Sequence, residues 1–522
     1  MKFILRLALL GICLLFLQPK ILFSQFDVEW YKFYGGNKDD VVVEAIQTID
    51  GGIVVTGVTE SNEGDFGQNN GMLDTYILKV NQDGELLWSK IIGGTENDYP
   101  TGIAEDSNGN LYVLLFTDST DGLFAENYGS VDAWIYKLDP NGNLVSFNNY
   151  GGSGPEINGN ISINDEDHVI LTVQTASSDV DISVEVMSNS GFNLWMAEIN
   201  QSGTLIWNDI IENSTNISAN KHLFHDNSLF VIGSTMATDF DFEGIGSSIS
   251  VDYYLFEFSQ NDGLNWLIKR GGSEFDSAKS FLVNTQEEIV VIAGITYSGD
   301  GDFDSNNGNK DAFVAVTDFV GEQIWSQTFG GSEDDDLVEI INYQDGYLLG
   351  INTTSTDFDV MSTLPGTFGW LIHIDKDGEI IWDYAVGGEG RDELQDILVV
   401  DDQFLYAFFS SNTFPLDPDS HHGADDVLVA KYSIPSVNVV DQNNDNDTRV
   451  FPNPASRFLH IEVDQEYVGE SYSLSTIEGK VIQSSILSAL DTNIDVTDLF
   501  SGLYILNIST EHNCFSQKIV IE

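Results

Sequence analysis

Apolar and polar residues alternate in short runs along most of the chain, and the runs come in fours. The first full set is "VVVEAIQTI", "GIVVTGVT", "DTYILKVN" and "ELLWSKII". Each run is rich in β-branched and aromatic residues and is bounded by turn formers, so each predicts a strand. Asp50-Gly51-Gly52 separates the first two runs, and Asp83-Gly84 the last two. "SNGN", "DPNG", "QSG", "NDG" and "KDG" stand at these places in later sets and predict short hairpin turns. No run carries a helical period.

The sets repeat. "GELLWSKIIGG" returns as "VGEQIWSQTFGG" and "DGEIIWDYAVGG". The residue five before each Gly-Gly, or its equivalent, is Trp30, Trp88, Ser146, Trp207, Trp266, Trp325 or Trp382, at intervals of 57 to 61 residues. A second column, in the third strand, holds Tyr76, Trp134, Trp195, Tyr254, Phe313, Trp370 and Leu428. All nine tryptophans fall in these two columns. Large rings at fixed positions are expected as packing anchors between neighbouring sheets, not as ligand cages.

Four antiparallel strands per unit predict a β-propeller. "FDVEWYKFYGG" supplies only a fourth strand, and the last repeat, Gly387 to Ile434, has three. The N-terminal strand is therefore expected to complete the last blade. The reading is all-β: a seven-bladed propeller over residues 25–434, with four-stranded blades. Each Gly-Gly is expected to supply backbone angles for the crossing between blades.

Composition narrows the partners. With 83 acidic residues against 20 basic ones, the net charge is −63, which excludes nucleic acid and anionic membrane surfaces. Residues 1–24 read as an export signal: Lys2 and Arg6 precede the apolar "LALLGICLLFL", and cleavage is expected between Ser24 and Gln25. No later run is apolar enough for a transmembrane helix. Cys13 leaves with the signal, so Cys514 has no partner for an intrachain disulfide.

After Ile434 the texture changes. Residues 435–448, "PSVNVVDQNNDNDT", read as a linker. "RVFPNPASRFLHIEV", "SYSLSTIEGKVIQSS", "DTNIDVTDLFSGLYILNIST" and "SQKIVIE" alternate like strands of a small immunoglobulin-like sandwich. "FPNPAS", "IEGKVI", "LFSGLYILNI" and "QKIVIE" resemble the C-terminal sorting domain of the type IX secretion system of Bacteroidetes, over residues 449–522. Pro452, Asn453, Pro454, Gly479, Lys480, Gly502, Leu503, Tyr504 and Lys518 carry that pattern. The resemblance implies passage through the periplasm and then the outer membrane by that machinery. It also implies removal of the module, with lipopolysaccharide attachment or release at the surface.

Candidate chemistry lies in long loops between the second and third strands, such as "TESNEGDFGQNNGMLD" and "YSGDGDFDSNNGNKD". These share one propeller face with the crossings between blades, where binding residues are expected. Two acidic columns mark that face. One is Asp40, Asp98, Glu156, Asp276, Asp335 and Asp392, broken by Ile217. The other is Asp74, Asp132, Asn193, Asp252, Asp311 and Asp426, broken by Phe368. Their repetition predicts turn capping. Asp300, Asp302, Asp304 and Asp311 have partial calcium-loop spacing, although Ser305 stands where such a loop needs glycine. Otherwise no cofactor is expected. No nucleophile elbow, zinc-protease motif or P-loop occurs, so no catalytic residue is assigned.

The expected protein is a monomeric, secreted or surface-displayed scaffold that binds an extracellular glycan or protein. A polysaccharide hydrolase or lyase on the same propeller is the alternative. A quinoprotein-like oxidoreductase, suggested by the "DG…W" phrase, is a third.

Overall fold

The computed structural model describes residues 26–434 except 126, 183–190, 214, 246–249, 304, 361, 363, 365, 389 and 413–424. It also describes residues 449–521 except 452–454, 456, 464–466, 477–480, 488, 498, 500, 501 and 510–513. Two compact units divide at Ile434 and Pro435.

The first unit contains seven four-stranded antiparallel sheets. The first blade runs Asp40–Gln47, Ile53–Thr59, Asp74–Val80 and Leu86–Ile92. The middle strands of a blade are covered on both faces. Leu111–Thr117 and Asp132–Leu138 are buried at every position, which is why these runs read as nearly continuous apolar stretches. Apolar clusters lie between successive sheets; one joins Val291 and Val314 to Leu349 and Trp370.

The seventh sheet is Asp392–Val400, Phe404–Ser411 and Asp426–Ser433, with Asp27–Tyr34 as its fourth strand. Phe26 is buried against Trp382 of the sixth blade, ring centroids 5.0 Å apart, and against Tyr384. On the other side the first blade bonds to the seventh. Val42 N donates to Ser410 Oγ at 3.1 Å, and Ala45 N to Asp396 Oδ2 at 2.9 Å.

The tryptophan column and the turn glycines fit one another. Gly84 and Gly142 have φ of +70° and +76°, and a Cβ there would stand 2.7 Å from the Trp30 ring and 2.8 Å from the Trp88 ring. Each of these rings packs on the hairpin turn of the next blade, so the turn needs glycine for its backbone and for its bareness.

The Gly-Gly pairs have a different cause from the one the sequence suggested. Of the pairs at 35–36, 93–94, 151–152, 271–272, 330–331 and 387–388, only Gly387 has positive φ, at +138°. The constraint is space. A Cβ on Gly35, Gly93, Gly151, Gly271 or Gly330 would meet a buried carboxylate at 2.1–2.6 Å. A Cβ on Gly36, Gly94, Gly152, Gly272 or Gly331 would meet a serine Cβ at 2.4–2.6 Å.

The second unit is a small β-sandwich. One sheet joins Arg449–Phe451, Phe458–Glu462 and Asp491–Asp495. The other joins Val481–Ile486, Ser471–Thr476, Gly502–Ser509 and Cys514–Ile521. Leu459, Ile461 and Ile494 of the first pack with Leu474, Leu506 and Ile519 of the second. Among the described residues no helix is long and apolar enough to cross a membrane, which says nothing about crossing by strands.

Candidate functional site

The crossings between blades are built on buried acids. The first-strand acid accepts the N–H of the second glycine: Gly36 to Asp40 and Gly94 to Asp98 at 2.8 Å, Gly272 to Asp276 and Gly331 to Asp335 at 2.7 Å. The third-strand acid of the preceding blade sits beside it over the first glycine. Around Gly330, a Cβ would be 2.6 Å from Asp311 Oδ1 and 2.7 Å from Asp335 Oδ2. Burial pushes Asp40, Asp98, Asp276 and Asp311 up to about 6, and Glu156 to about 7, with the neighbouring carboxylate adding to each shift. The departures at the crossing from the third blade to the fourth now make joint sense. Ile217 and Asn193 remove both charges together, and Asn213 N donates to Asn193 Oδ1 at 3.1 Å in place of a glycine–carboxylate bond.

The long loops return to these crossings through a second repeated element, which sequence reasoning missed. Its form is acid, any residue, acid or leucine, then a buried apolar residue. The copies begin at Glu63, Asp121, Asp179, Asp239, Asp300 and Asp357. The first acid caps the backbone after the crossing: Ser153 N donates to Asp179 at 2.7 Å, and Ser273 N to Asp300 and Ser332 N to Asp357 at 2.8 Å. The third position turns back to the crossing itself, as when Gly271 N donates to Asp302 at 2.8 Å and Glu212 N to Asp241 at 2.7 Å. The fourth, Phe66, Phe124, Ile182, Phe242, Phe303 or Val360, is buried.

The second position has left-handed backbone in every copy. Three copies use Gly64, Gly122 and Gly301. The others place Val180, Phe240 and Phe358 there, with φ of 60°, 51° and 54°. These three side chains are 50%, 39% and 59% exposed. A branched or aromatic residue in this conformation is strained, and an exposed one gains little packing in return.

A third constellation lies on the inner strands. All seven break register once near the start, a bulge that re-aims the following side chain. The fifth positions are Glu44, Gly102, Asn160, Lys221, Ser280, Glu339 and Asp396. Lys221 Nζ of the fourth blade reaches Glu339 Oε2 of the sixth at 2.6 Å. Glu44 accepts Ile103 N at 2.7 Å, so it stitches the first blade to the second. Burial raises Glu44 to about 7, and burial with Glu339 and Glu44 nearby raises Asp396 well above the carboxylate range. Burial opposes the Lys221 charge, but Glu339 outweighs it and the pKa is raised.

The residues expected from sequence fall in several places. Trp30, Trp88, Trp207, Trp266, Trp325 and Trp382 are half-buried packing residues of the fourth strands. Asp300 and Asp302 stand together at the Gly271–Gly272 crossing, where Arg270 Nη1 also bonds Asp302 Oδ1 at 3.1 Å. Asp311 belongs to the next crossing, at Asp335, and Asp304 lies outside the described residues. Ser24, Gln25, Pro452, Asn453, Pro454, Gly479 and Lys480 also lie outside them. Gly502, Leu503 and Tyr504 open the strand Gly502–Ser509, and Lys518 lies in Cys514–Ile521. A further group with metal-ligand atoms close together is Glu166, His168 and Glu198. There His168 Nδ1 bonds Glu198 Oε1 at 2.8 Å, and the Trp207 indole donates to Glu198 Oε2.

Comparison with known proteins agrees with both units. Residues 449–522 match the family of the secretion system C-terminal sorting domain, and residues 87–114 match a β-propeller repeat. This is a secreted β-propeller protein with a type IX sorting domain. The domain implies export by that system to the cell surface or the medium. Similar solved structures include PorZ, an essential surface component of the type IX secretion system of Porphyromonas gingivalis. The two are 11% identical with a TM-score of 0.43, over 94% of this chain and 60% of that one. Hydrazine synthase of Kuenenia stuttgartiensis is 10% identical with a TM-score of 0.41, over 71% and 93%. An uncharacterized WD repeat-containing protein of Acanthamoeba polyphaga mimivirus is 26% identical over 111 residues, 19% of this chain and 8% of that protein. Such loose overlaps carry no function across.

Proposed function

We propose that this propeller is a binding scaffold, displayed on the surface or released, whose long-loop face holds an extracellular glycan or protein. One observation carries the reading. Val180, Phe240 and Phe358 keep exposed apolar side chains in left-handed backbone where three other copies use glycine. Strain retained without packing is a mark of function. Tyr128, Phe275 and Tyr297 add exposed rings, and the last two meet edge to face at 6.0 Å. Rings flanked by carboxylates suit a neutral sugar chain, with the rings against its apolar faces and the acids on its hydroxyls. Transit of the periplasm, removal of the sorting domain and attachment or release at the surface belong to the same proposal.

The test is Phe240→Gly combined with Phe358→Gly. Each change removes strain of about 1 kcal/mol or more, so the variant should be at least as stable as the parent. It should also lose binding on a glycan array or to surface-protein extracts. Unchanged binding by a stable variant would exclude these residues as the contact.

A second reading, cleavage of an extracellular polysaccharide, draws on the acids at the fifth positions of the inner strands. Glu44, raised to about 7, has the protonation range of a general acid, and Glu339 and Asp396 are its neighbours. Depolymerisation lost in Glu44→Gln with binding retained would establish it.

A further inference from the structure

The fifth blade departs from its neighbours in its fourth strand. After the column tryptophan the fourth blade has Leu267, Ile268 and Lys269, and the sixth has Asp383, Tyr384 and Ala385. The fifth has Ser326, Gln327 and Thr328 after Trp325. Its two hydroxyls turn back to the long loop of the same blade: Ser326 Oγ donates to Asp302 O at 2.8 Å, and Thr328 Oγ1 to Ser305 O at 3.1 Å. In the fourth blade Lys269, at the place of Thr328, is long enough to reach Ala237 O at 3.3 Å and Asp252 Oδ2 at 3.4 Å.

The fifth blade has a cavity at this place, about 400 Å³ in volume and within the range of small-molecule sites. It lies between the fourth strand, the long loop of the fifth blade and Asp359 from the loop of the sixth. Phe303 gives it one apolar wall, and that ring is held against Phe313 with centroids 5.0 Å apart. Among the described residues no lysine or arginine lines it.

Asp359 has acceptor capacity to spare. Its only hydrogen bond among the described residues comes from Gly330 N, at 3.5 Å. The acid at the same place one blade earlier, Asp302, accepts Gly271 N at 2.8 Å and Arg270 Nη1 at 3.1 Å. Directly before Asp359 stands Phe358, exposed and in left-handed backbone, where Gly301 precedes Asp302. Strain, an under-used carboxylate and a cavity therefore coincide at one loop.

The lining selects a class of ligand. Asp359 accepts, the amides of Asn307 and Gln327 donate and accept, and the hydroxyls of Ser305, Ser326 and Thr328 do both. An uncharged polyol matches that mixture. An anion would face Asp359, with Asp311 close enough to feel the same charge. A compact cation would leave the amide and hydroxyl donors unmatched. The concave shape suits a single ring better than a flat protein surface, and the Phe303 wall suits the C–H face of that ring.

We propose, on the reading of this face as a binding surface, that the cavity receives one pyranose of a neutral glycan. Asp359, Asn307 and Gln327 hold its hydroxyls, and Phe358 packs on the neighbouring sugar.

The experiment applies the full secreted chain to an array of neutral oligosaccharides of glucose, mannose, galactose and xylose. Sulfated and uronate-bearing glycans and surface-protein extracts stand beside them. The best neutral binder is then titrated by calorimetry, and one site per chain is expected. Asp359→Asn, which keeps the side-chain shape, should weaken binding about tenfold or more. Thr328→Lys supplies the fourth blade's residue and fills the cavity, so it should abolish binding. Melting curves show whether each variant is folded, and if Thr328→Lys is not, Asp359→Asn decides alone. Neutral-glycan binding that survives Asp359→Asn unchanged but is lost in Phe240→Gly with Phe358→Gly would overturn the cavity and leave the binding surface standing. Binding only of charged glycans or of protein would likewise overturn the neutral sugar alone. A parent that binds nothing would overturn the cavity and the binding surface together.

Discussion

Lys221 Nζ of the fourth blade lies 2.6 Å from Glu339 Oε2 of the sixth, so one ion pair joins two blades that are not neighbours. Glu44 and Asp396 lie within electrostatic reach of the same ammonium. Lys221 is the only lysine or arginine among the seven fifth positions of the inner strands, and three carboxylates depend on it. Lys221→Met should lower unfolding stability by about 3 kcal/mol, because it leaves buried acids without their counter-charge. Adding Glu339→Gln should recover part of the loss. Denaturant unfolding of the two variants checks this, and a single variant as stable as the parent would refute it.

The crossing acids set the pH dependence. Asp40, Asp98 and Asp276 sit at about 6, and Glu44 and Glu156 at about 7, against about 4 in an unfolded chain. Raised carboxylates bind protons more tightly in the folded state. Their contribution is complete below about pH 4 and is lost as pH rises through 6 to 7. His222 and His373, held down by burial at about 3 and 4, act oppositely: their contribution is present above about 6.5 and lost toward those values. Above pH 6.5 the raised acids, led by Glu44 and Glu156, outweigh the two histidines, whose unfolded forms are at most half protonated there. The melting temperature in EDTA should therefore fall between pH 6.5 and 8, and a rise over that window would contradict the assignment.

The glycine pairs are tested by adding one methyl. Gly93→Ala would place a Cβ 2.1 Å from Asp74 Oδ1. The cost should be about 3 kcal/mol or more, because buried carboxylates and backbone must move apart. Gly67→Ala is the contrast: nothing lies within 4 Å of its Cβ, and only its φ of +95° opposes the change. Equal losses in the two variants would place the constraint in backbone angle after all.

Deleting Phe26 to Tyr34 removes the fourth strand of the seventh sheet and uncovers the edge of Asp426–Ser433. The shortened protein should aggregate or melt well below the parent. Size-exclusion chromatography decides, and a monomer with an unchanged melting temperature would count against the role of this strand.

Deleting Arg449 to Glu522 removes the sorting domain. The propeller has its own core and should still fold, but it should stay inside the outer membrane. Normal amounts of truncated protein in the medium would refute this. Trapped protein in an unfolded form would refute independent folding instead.

The sequence by itself determined the strands, the seven repeats, the completion of the last sheet by Asp27–Tyr34 and the nature of the C-terminal domain. These follow from periodicity, turn chemistry and recurring residues such as Trp88 and Gly84, which are local properties of the chain. It showed both acidic columns too, but as separate columns. Only the tertiary structure brought Asp311 of one blade against Asp335 of the next, because the two meet through packing between sheets. The reason for each Gly-Gly was hidden for the same cause: the carboxylate that excludes a Cβ at Gly93 comes from Asp74, in another strand. The group of Glu44, Lys221, Glu339 and Asp396 was equally out of sight. Its members lie up to 352 residues apart in the chain, and a bulge in each inner strand, with no sequence signature of its own, sets their direction. The strain at Phe240 and Phe358 needed both sources: alignment of the loops to show that glycine belongs there, and the backbone to show that these residues adopt glycine's conformation.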